Sequence, residues 1–265
     1  MSISRLDCDI FRGSEVPADL SGFVALNPGP AQARAVFAGT TAVAEGIGSQ
    51  VAYRLGLEYF VKGVLDAVPA SQLLPDEDAV TRVVENAFRT ANSSVYNFGH
   101  RLAAGGRMAA SMVACVVDGR HLVCGRVGFA SVYLFREGQL FPLFPNDDVD
   151  TSILGDISEE LVAAPDQRFS YIGSHAIVDV NIASVNLEPL DTIISFSRPL
   201  TSLNETLLFQ YLEMTAEGQR AASFSQSARR ADDLCLDVFT EPDLVSFCCL
   251  LSIGPDAIYC SKVVK

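Results

Sequence analysis

The stretch that decides the fold is residues 107–140, which read RMAASMVACVVDGRHLVCGRVGFASVYLFREGQL. Two apolar runs, Met108–Val117 and Arg120–Val127, flank Asp118-Gly119, a dipeptide typical of two-residue hairpin turns. A second hairpin follows directly, with Glu137-Gly138 as its turn. The stretch therefore predicts consecutive antiparallel hairpins whose strands are largely buried.

Helical patterns flank these hairpins in pairs. A buried strand over Arg34–Ala44 precedes one helix that runs to about Asp66 and a second that begins near Pro75. The elements predicted after the hairpins are strands at Ala176–Leu187 and Asp191–Ser197, a helix opened by a Ser202-x-x-Glu205 capping box, a helix striped from Ala221 to Cys235, and a strand at Leu244–Ile253. Paired helices disfavour a doubly wound parallel sheet and favour antiparallel sheets with helices outside them. With no repeat or linker, residues 1–265 are predicted to form a single domain.

Composition excludes several classes of function. The 265 residues are 49% hydrophobic and 19% charged, and the net charge of −13 argues against binding to nucleic acid or to an anionic membrane. No apolar run approaches the roughly 18 residues of a membrane span. The first residues lack the basic and apolar regions of a secretory signal. We therefore predict a cytoplasmic protein.

The cysteines and the isolated motifs do not indicate a metal or nucleotide site. Seven cysteines, an odd number without C-x-x-C spacing, are interpreted as reduced thiols, mostly in the core. Gly46-Ile-Gly48 matches a dinucleotide-binding fingerprint only in part, and Asp148-Val-Asp150 lacks the glycine of a calcium loop.

Four segments together resemble the type-2C, metal-dependent (PPM-type) protein phosphatases: 36–48, 107–140, 187–200 and 243–247. Where segment 36–48 stands, the family has a strand ending in Asp-Gly-x-Gly-Gly, and where 107–140 stands, it has two central strands with a Val-Gly-Asp-Ser-Arg turn. Segment 187–200 corresponds to a strand leading to Ser-Asp-Gly-Leu, and 243–247 to Asp-Asn before an apolar strand. The resemblance implies an α+β, four-layer α-β-β-α sandwich, in which two antiparallel sheets are flanked by helix pairs. It also implies two Mg²⁺ or Mn²⁺ ions, held by carboxylates and waters, that supply a hydroxide beside the substrate phosphate.

Every motif of the family is altered in this chain. The Asp of the first motif is Glu45, followed by Gly46, and the Asp of Ser-Asp-Gly is Arg198. The Asp of the Gly-Asp-Ser turn is Phe129, at a position that supports structure more than metal. Asp243 matches the last motif, but its usual Asn neighbour is Leu244. The charge of Arg198 would oppose metal binding, because a unit positive charge about 4 Å from a divalent ion raises the energy by roughly 8 kcal/mol at an effective dielectric constant of about 20. We therefore predict a salt-bridge cluster of Arg198 with Glu45 and Asp243 in place of a metal centre.

The resemblance and its departures lead to three hypotheses. The first is a pseudophosphatase, with no catalytic residues and no cofactor, that serves as a regulatory module and binds an unidentified protein partner. The second is a divergent, active serine/threonine protein phosphatase that holds Mn²⁺ or Mg²⁺ with Glu45, the Gly46 carbonyl and Asp243. The third is a small-molecule sensor that uses the same cleft.

Overall fold

The structure is a computed structural model that describes residues 7–12, 19–29, 32–43, 47–68, 72–102, 108–144, 170–188, 190–196, 200, 202–214, 247–253 and 258–259. The elements in these ranges are β1 (Asp7–Arg12), β2 (Asp19–Gly29), β3 (Gln32–Ala42), α1 (Ile47–Ala67), α2 (Glu77–Arg101), β4 (Ala110–Asp118), β5 (His121–Val127), β6 (Ser131–Arg136), β7 (Gln139–Pro142), β8 (Asn181–Asn186), β9 (Thr192–Phe196), α3 (Ser202–Met214), β10 (Phe247–Ile253) and β11 (Ile258–Tyr259).

Within the described residues, one antiparallel sheet has five strands in the order β2-β3-β4-β5-β8. Helices α1 and α2 cover one of its faces with a buried apolar cluster that includes Val36, Ala114 and Phe88. The approach is close at Gly125 of β5, where a Cβ atom would lie 2.3 Å from Cε2 of Phe88. Glycine is therefore required at this position because α2 packs directly on the backbone of the sheet.

The second antiparallel sheet has the order β1-β10-β9-β6-β7, with β11 paired to β10. Helix α3 packs on its outer face, since the rings of Phe135 and Phe209 meet edge to face at 6.1 Å. The Tyr133 hydroxyl donates a hydrogen bond of 2.8 Å to Oε1 of Glu205, the residue predicted to close a capping box.

A third layer of apolar contacts lies between the sheets. Successive side chains of a strand point to opposite faces, so the residues of β3–β5 that do not face the helices meet those of β6 and β9. This inter-sheet core includes Phe37, Val113, Leu122, Val132 and Ile193. The observed layers are thus helix, sheet, sheet and helix, which confirms the predicted α+β sandwich.

Differences from the predicted elements concern the start of the chain, one turn and the strand predicted over Ala176–Leu187, which is observed as Asn181–Asn186. Strands β1 and β2 were not predicted, because their acids and Pro28-Gly29 interrupt any apolar alternation. The first hairpin turn is Gly119-Arg120, one residue later than predicted, since Asp118 pairs with His121. The second turn, Glu137-Gly138, is confirmed, and both residues have the positive φ of a type I′ turn. The helix predicted over 221–235 lies outside the described residues.

Two arginine–aspartate pairs hold one end of the sandwich, which we call the clamp end. Nε of Arg34, at the start of β3, donates to Oδ1 of Asp118 at 2.7 Å, and both side chains are fully buried. The second carboxylate oxygen accepts from the backbone N–H of Leu74, which fixes the α1–α2 connection to the sheet. Arg136, at the end of β6, donates from Nε and Nη2 to the two oxygens of Asp191, at 2.8 and 2.6 Å.

Candidate functional site

Several strand ends meet at the opposite end of the sandwich, which we call the Phe129 end. Strand β3 ends beside the start of β4, and β4 begins beside the end of β5. Residues 128–130 then connect β5 directly to β6 in the other sheet. The last residue of β9, Phe196, pairs with Ser131 at the start of β6 and with Cys248 near the start of β10. The topology therefore brings the ends of β3, β5 and β9 together with the starts of β6 and β10.

These strand ends lead to the residues that the sequence predicted for the site. Glu45 and Gly46 follow β3, Arg198 follows β9, and Asp243 precedes β10. All four residues lie outside the described part of the chain. The salt-bridge cluster of Arg198 with the two carboxylates therefore stays a prediction, although the strands that lead to its members end at the same place.

Phe129 lies within the described residues and is only 2% exposed. It follows Gly128, whose φ of +92° is strained for any residue with a side chain, and whose Cβ would lie 2.6 Å from Oγ of Ser111. The Ser111 hydroxyl accepts a hydrogen bond of 3.2 Å from the N–H of Phe129 and donates one of 3.4 Å to the carbonyl of Val127. Ser111 thus fixes the β5–β6 turn that directs Phe129 into the protein interior. The position of Ser111 in an apolar run did not reveal this role.

The Phe129 ring completes a small apolar cluster with Val43 and Ala109, against which Tyr171 packs. The rings of Phe129 and Tyr171 meet edge to face at 6.2 Å. Burial raises the pKa of Tyr171 to about 12, because the phenolate would lose its hydration. The phenol is therefore neutral at physiological pH.

Asn92 of α2 positions the segment that carries Tyr171. Its side chain is buried; Oδ1 accepts from the N–H of Gly173 at 2.8 Å, and Nδ2 donates to the carbonyls of His175 and Ala176. Ile172 also forms a β-bridge with Ala110 at the start of β4. Sequence reasoning missed this contact, although a lone asparagine on an apolar helix face is a signal for such a role.

A positively charged side chain, that of Arg126, lies beside the β5–β6 turn within the described part of the chain. It is buried at the end of β5, and its guanidinium lies 4.8 Å from the ring centroid of Phe144. Nη1 donates a long hydrogen bond of 3.5 Å to the carbonyl of Ala130, so the residue braces the β5–β6 connection. The sequence analysis did not single out Arg126, because it lies in an apolar strand without any motif.

The described side chains at the Phe129 end do not fit a hard divalent cation. Mg²⁺ and Mn²⁺ take oxygen ligands, preferably carboxylates. Val43, Ala109 and Phe129 offer none, and the neutral phenol of Tyr171 is a poor substitute. Within the described ranges, no group of three His, Cys, Asp or Glu residues could hold a metal ion.

Comparison with solved structures relates this geometry to known proteins. Stp1, a serine/threonine phosphatase from Staphylococcus aureus, superposes with a TM-score of 0.64 at 17% identity, covering 96% of this chain and 97% of that one. The catalytic domain of the serine/threonine protein phosphatase PstP, solved in complex with two manganese ions, gives a TM-score of 0.61 at 19% identity and covers 93% and 97%. This chain has the fold of the PPM-type phosphatases.

PppA, a key regulatory component of T6SS in Pseudomonas aeruginosa, shares the PPM fold with a TM-score of 0.57 at 15% identity, covering 90% of this chain and 99% of PppA. No protein-family model matches the sequence, and no curated protein matches it either. The predicted resemblance is thus confirmed at the level of the fold. No described helix is long and apolar enough to cross a membrane.

Proposed function

We propose that this chain is a pseudophosphatase, a PPM-fold domain without phosphatase activity that works by binding another protein. The observation that carries the proposal is Arg198, which stands in the sequence where the resembled family has a metal-binding aspartate. The altered turn agrees with it, because Phe129, where the family has an aspartate that supports the structure, is buried and holds the turn by apolar packing.

The charged residues that follow β3 and β9 and precede β10 in the sequence support the same proposal. Arg198 replaces a metal-binding carboxylate of the resembled family two residues after β9 ends. A fixed cation there repels a divalent ion and pairs well with Glu45 and Asp243. The proposed centre is therefore an ion-pair cluster that holds the strand ends together without metal.

Exposed apolar side chains at the Phe129 end support a binding role. Ile47 begins α1 just after β3, and Leu102 lies at the end of α2, with 79% and 60% of their surface exposed. Ile177, which is 83% exposed, precedes the start of β8. A contiguous apolar patch favours association with a protein, and the helix and strand ends that carry these three side chains lie at one end of the sandwich. The similarity in fold to PppA, a regulatory component, is compatible with such a role.

A calorimetric titration with Mn²⁺ tests the proposal. We expect no saturable heat for the native chain and measurable binding by Arg198→Asp, which restores a carboxylate. Arg89→Asp makes the same charge change on the exposed face of α2 and serves as the matched control. It should behave as the native chain does.

The rival hypothesis is an active phosphatase that uses Glu45, the Gly46 carbonyl and Asp243, and it draws support from the similarity to manganese-bound PstP. It predicts saturable Mn²⁺ binding by the native chain together with hydrolysis of an aryl phosphate ester that Asp243→Ala abolishes. That result would overturn the proposal of a pseudophosphatase.

A further inference from the structure

Two buried thiols face each other across the central hairpin, away from the Phe129 end. Cys115 of β4 and Cys124 of β5 are register partners, and the Sγ of Cys124 donates a hydrogen bond to the Sγ of Cys115 at 3.1 Å. Both are free thiols, and both belong to the inter-sheet core. Nothing in the proposed function uses them.

The register places this pair at a position suited to a covalent bond. Asp118 and His121 close the two-residue turn as a hydrogen-bonded pair, and pairs alternate along an antiparallel hairpin. Counting back from the turn, Cys115 and Cys124 form a non-hydrogen-bonded pair, in which opposite Cα atoms are about 4.5 Å apart. That separation lies within the range of about 4.4–6.8 Å found for disulfides.

Only a small movement separates the two sulfurs from bonding. A disulfide has an S–S length of about 2.05 Å, so the sulfurs need to approach by about 1 Å from their hydrogen-bonded distance. Rotation about the two Cα–Cβ bonds supplies such a movement without a change of strand register. We infer that Cys115 and Cys124 form a redox-modification site, at which a small peroxide oxidises the pair to a cross-strand disulfide.

The chemistry balances with hydrogen peroxide as the oxidant. The thiolate sulfur of one cysteine attacks a peroxide oxygen, the O–O bond breaks, and hydroxide leaves to take up the released proton as water. The sulfenic acid so formed is attacked by the second thiol, which forms the S–S bond and expels a second water. Two thiols and one peroxide thus give one disulfide and two waters.

Burial selects the oxidant and sets the rate. Burial is the largest of the causes that raise the pKa of the Cys124 thiol, so little thiolate is present at neutral pH and oxidation is slow. Hydrogen peroxide is small and neutral enough to enter when the strands fluctuate, whereas a bulky disulfide such as oxidised glutathione is not. The product would join the neighbouring strands β4 and β5 of the five-stranded sheet and stabilise the hairpin against unfolding.

The experiment uses the full chain, reduced and then exposed to hydrogen peroxide under native conditions. After quenching and alkylation in denaturant, mass spectrometry of peptides should find Cys115 and Cys124 joined, with the loss of two hydrogen atoms. Dithiothreitol should restore both thiols. The oxidised protein should unfold at a higher temperature than the reduced protein.

Three cysteine variants test which residues form the bond. Cys124→Ala should leave Cys115 alkylated, and Cys115→Ala provides the reciprocal test if the first variant does not fold by circular dichroism. Cys248→Ala, a matched change in β10, should still give the linked peptide. Complete alkylation of both thiols in folded, peroxide-treated protein would overturn the inference. So would a linkage that appears only after unfolding in urea, or conversion of either cysteine to a sulfinic acid without linkage.

Discussion

The clamp end and the Phe129 end of the sandwich bury their side chains in opposite ways. At the clamp end, buried Arg34 meets buried Asp118 at 2.7 Å, and the partly exposed Arg136 meets buried Asp191 at 2.6 Å, so each of these buried charges has a fixed partner. At the Phe129 end, the described cluster is formed by Val43, Ala109 and Phe129 with Tyr171 packed against them. The described buried charges at the clamp end are thus held in ion pairs, whereas Arg126, the buried cation described at the Phe129 end, is held by the Phe144 ring and the carbonyl of Ala130.

The largest effect is expected from breaking the clamp end at Asp118. Asp118→Ala leaves the Arg34 guanidinium buried without its carboxylate and the N–H of Leu74 without its acceptor. We expect the free energy of unfolding to fall by about 4 kcal/mol, measured by urea denaturation.

The double variant Arg34→Met/Asp118→Leu removes both charges and is the control. It should recover much of the loss, because a buried pair replaced by apolar groups costs little. Equal stability of the single and double variants would contradict the explanation that the unpaired charge of Arg34 destabilises the Asp118→Ala protein.

A somewhat smaller effect is expected from emptying the Phe129 end. Phe129→Ala removes a ring that is only 2% exposed and leaves a cavity beside Val43 and Tyr171. The free energy of unfolding should fall by about 3 kcal/mol, whereas Phe129→Leu, which keeps most of the volume, should cost about 1 kcal/mol. Unchanged stability of Phe129→Ala in a denaturant titration would show that the ring does not hold this end together.

Arg136→Lys tests the geometry of the second ion pair at the clamp end. It keeps the positive charge and removes the two-pronged guanidinium that binds both carboxylate oxygens. The hydrogen bond with Asp191 raises the pKa of Arg136, so the guanidinium stays charged and only geometry changes. A loss of about 1 kcal/mol is expected, since lysine cannot bind both carboxylate oxygens in the same way. Arg89→Lys, in an exposed pair with Glu85, should change stability by no more than about 0.5 kcal/mol in the same assay.

Tyr171→Phe, which keeps the ring and removes the hydroxyl, is expected to change the free energy of unfolding least at neutral pH. It should instead change how stability depends on pH. The pKa of Tyr171 is raised to about 12 in the folded protein, so the neutral phenol's contribution is complete below the unfolded pKa of about 10 and is lost as pH rises towards 12. The stability of the native chain should fall relative to Tyr171→Phe over this window.

An ultraviolet titration of phenolate absorbance gives the direct measurement. One tyrosine of the native chain should ionise near pH 12, and that step should be absent from Tyr171→Phe. Loss of an ionisation step near pH 10, with the step near pH 12 unchanged, would refute the burial of this phenol.

The sequence predicted the parts of the fold that depend on local patterns. The hairpins of β4–β7 follow from apolar runs and turn dipeptides, and α2 follows from its apolar stripe and from acids at its start, with Asp76 as the N-cap. Strands β1 and β2 could not be predicted in this way, because their pairing with β10 and β3 supplies order that their own residues do not signal.

Of the residues that the sequence names for the candidate site, the structure describes only Phe129, and the sequence did not predict how that residue packs. The altered turn at Phe129 is visible in the sequence, but its contact with Tyr171 depends on a bridge between Ile172 and Ala110 that no motif marks. Likewise, Glu205 was assigned to a helix cap on spacing alone, and the structure gives it a hydrogen bond from Tyr133. Contacts between residues far apart in the chain require the tertiary structure.

The assignment of strands to sheets has a consequence for synthesis on the ribosome. All strands of the sheet β2-β3-β4-β5-β8 lie before residue 187, whereas the other sheet is joined through β10, at Phe247–Ile253. A nascent chain can therefore complete the first sheet with α1 and α2 before β9, which pairs with β6 over the face of β3–β5, has been made. Part of this apolar face lacks its cover during that interval, so the growing chain is expected to need shielding by a chaperone until β9 emerges.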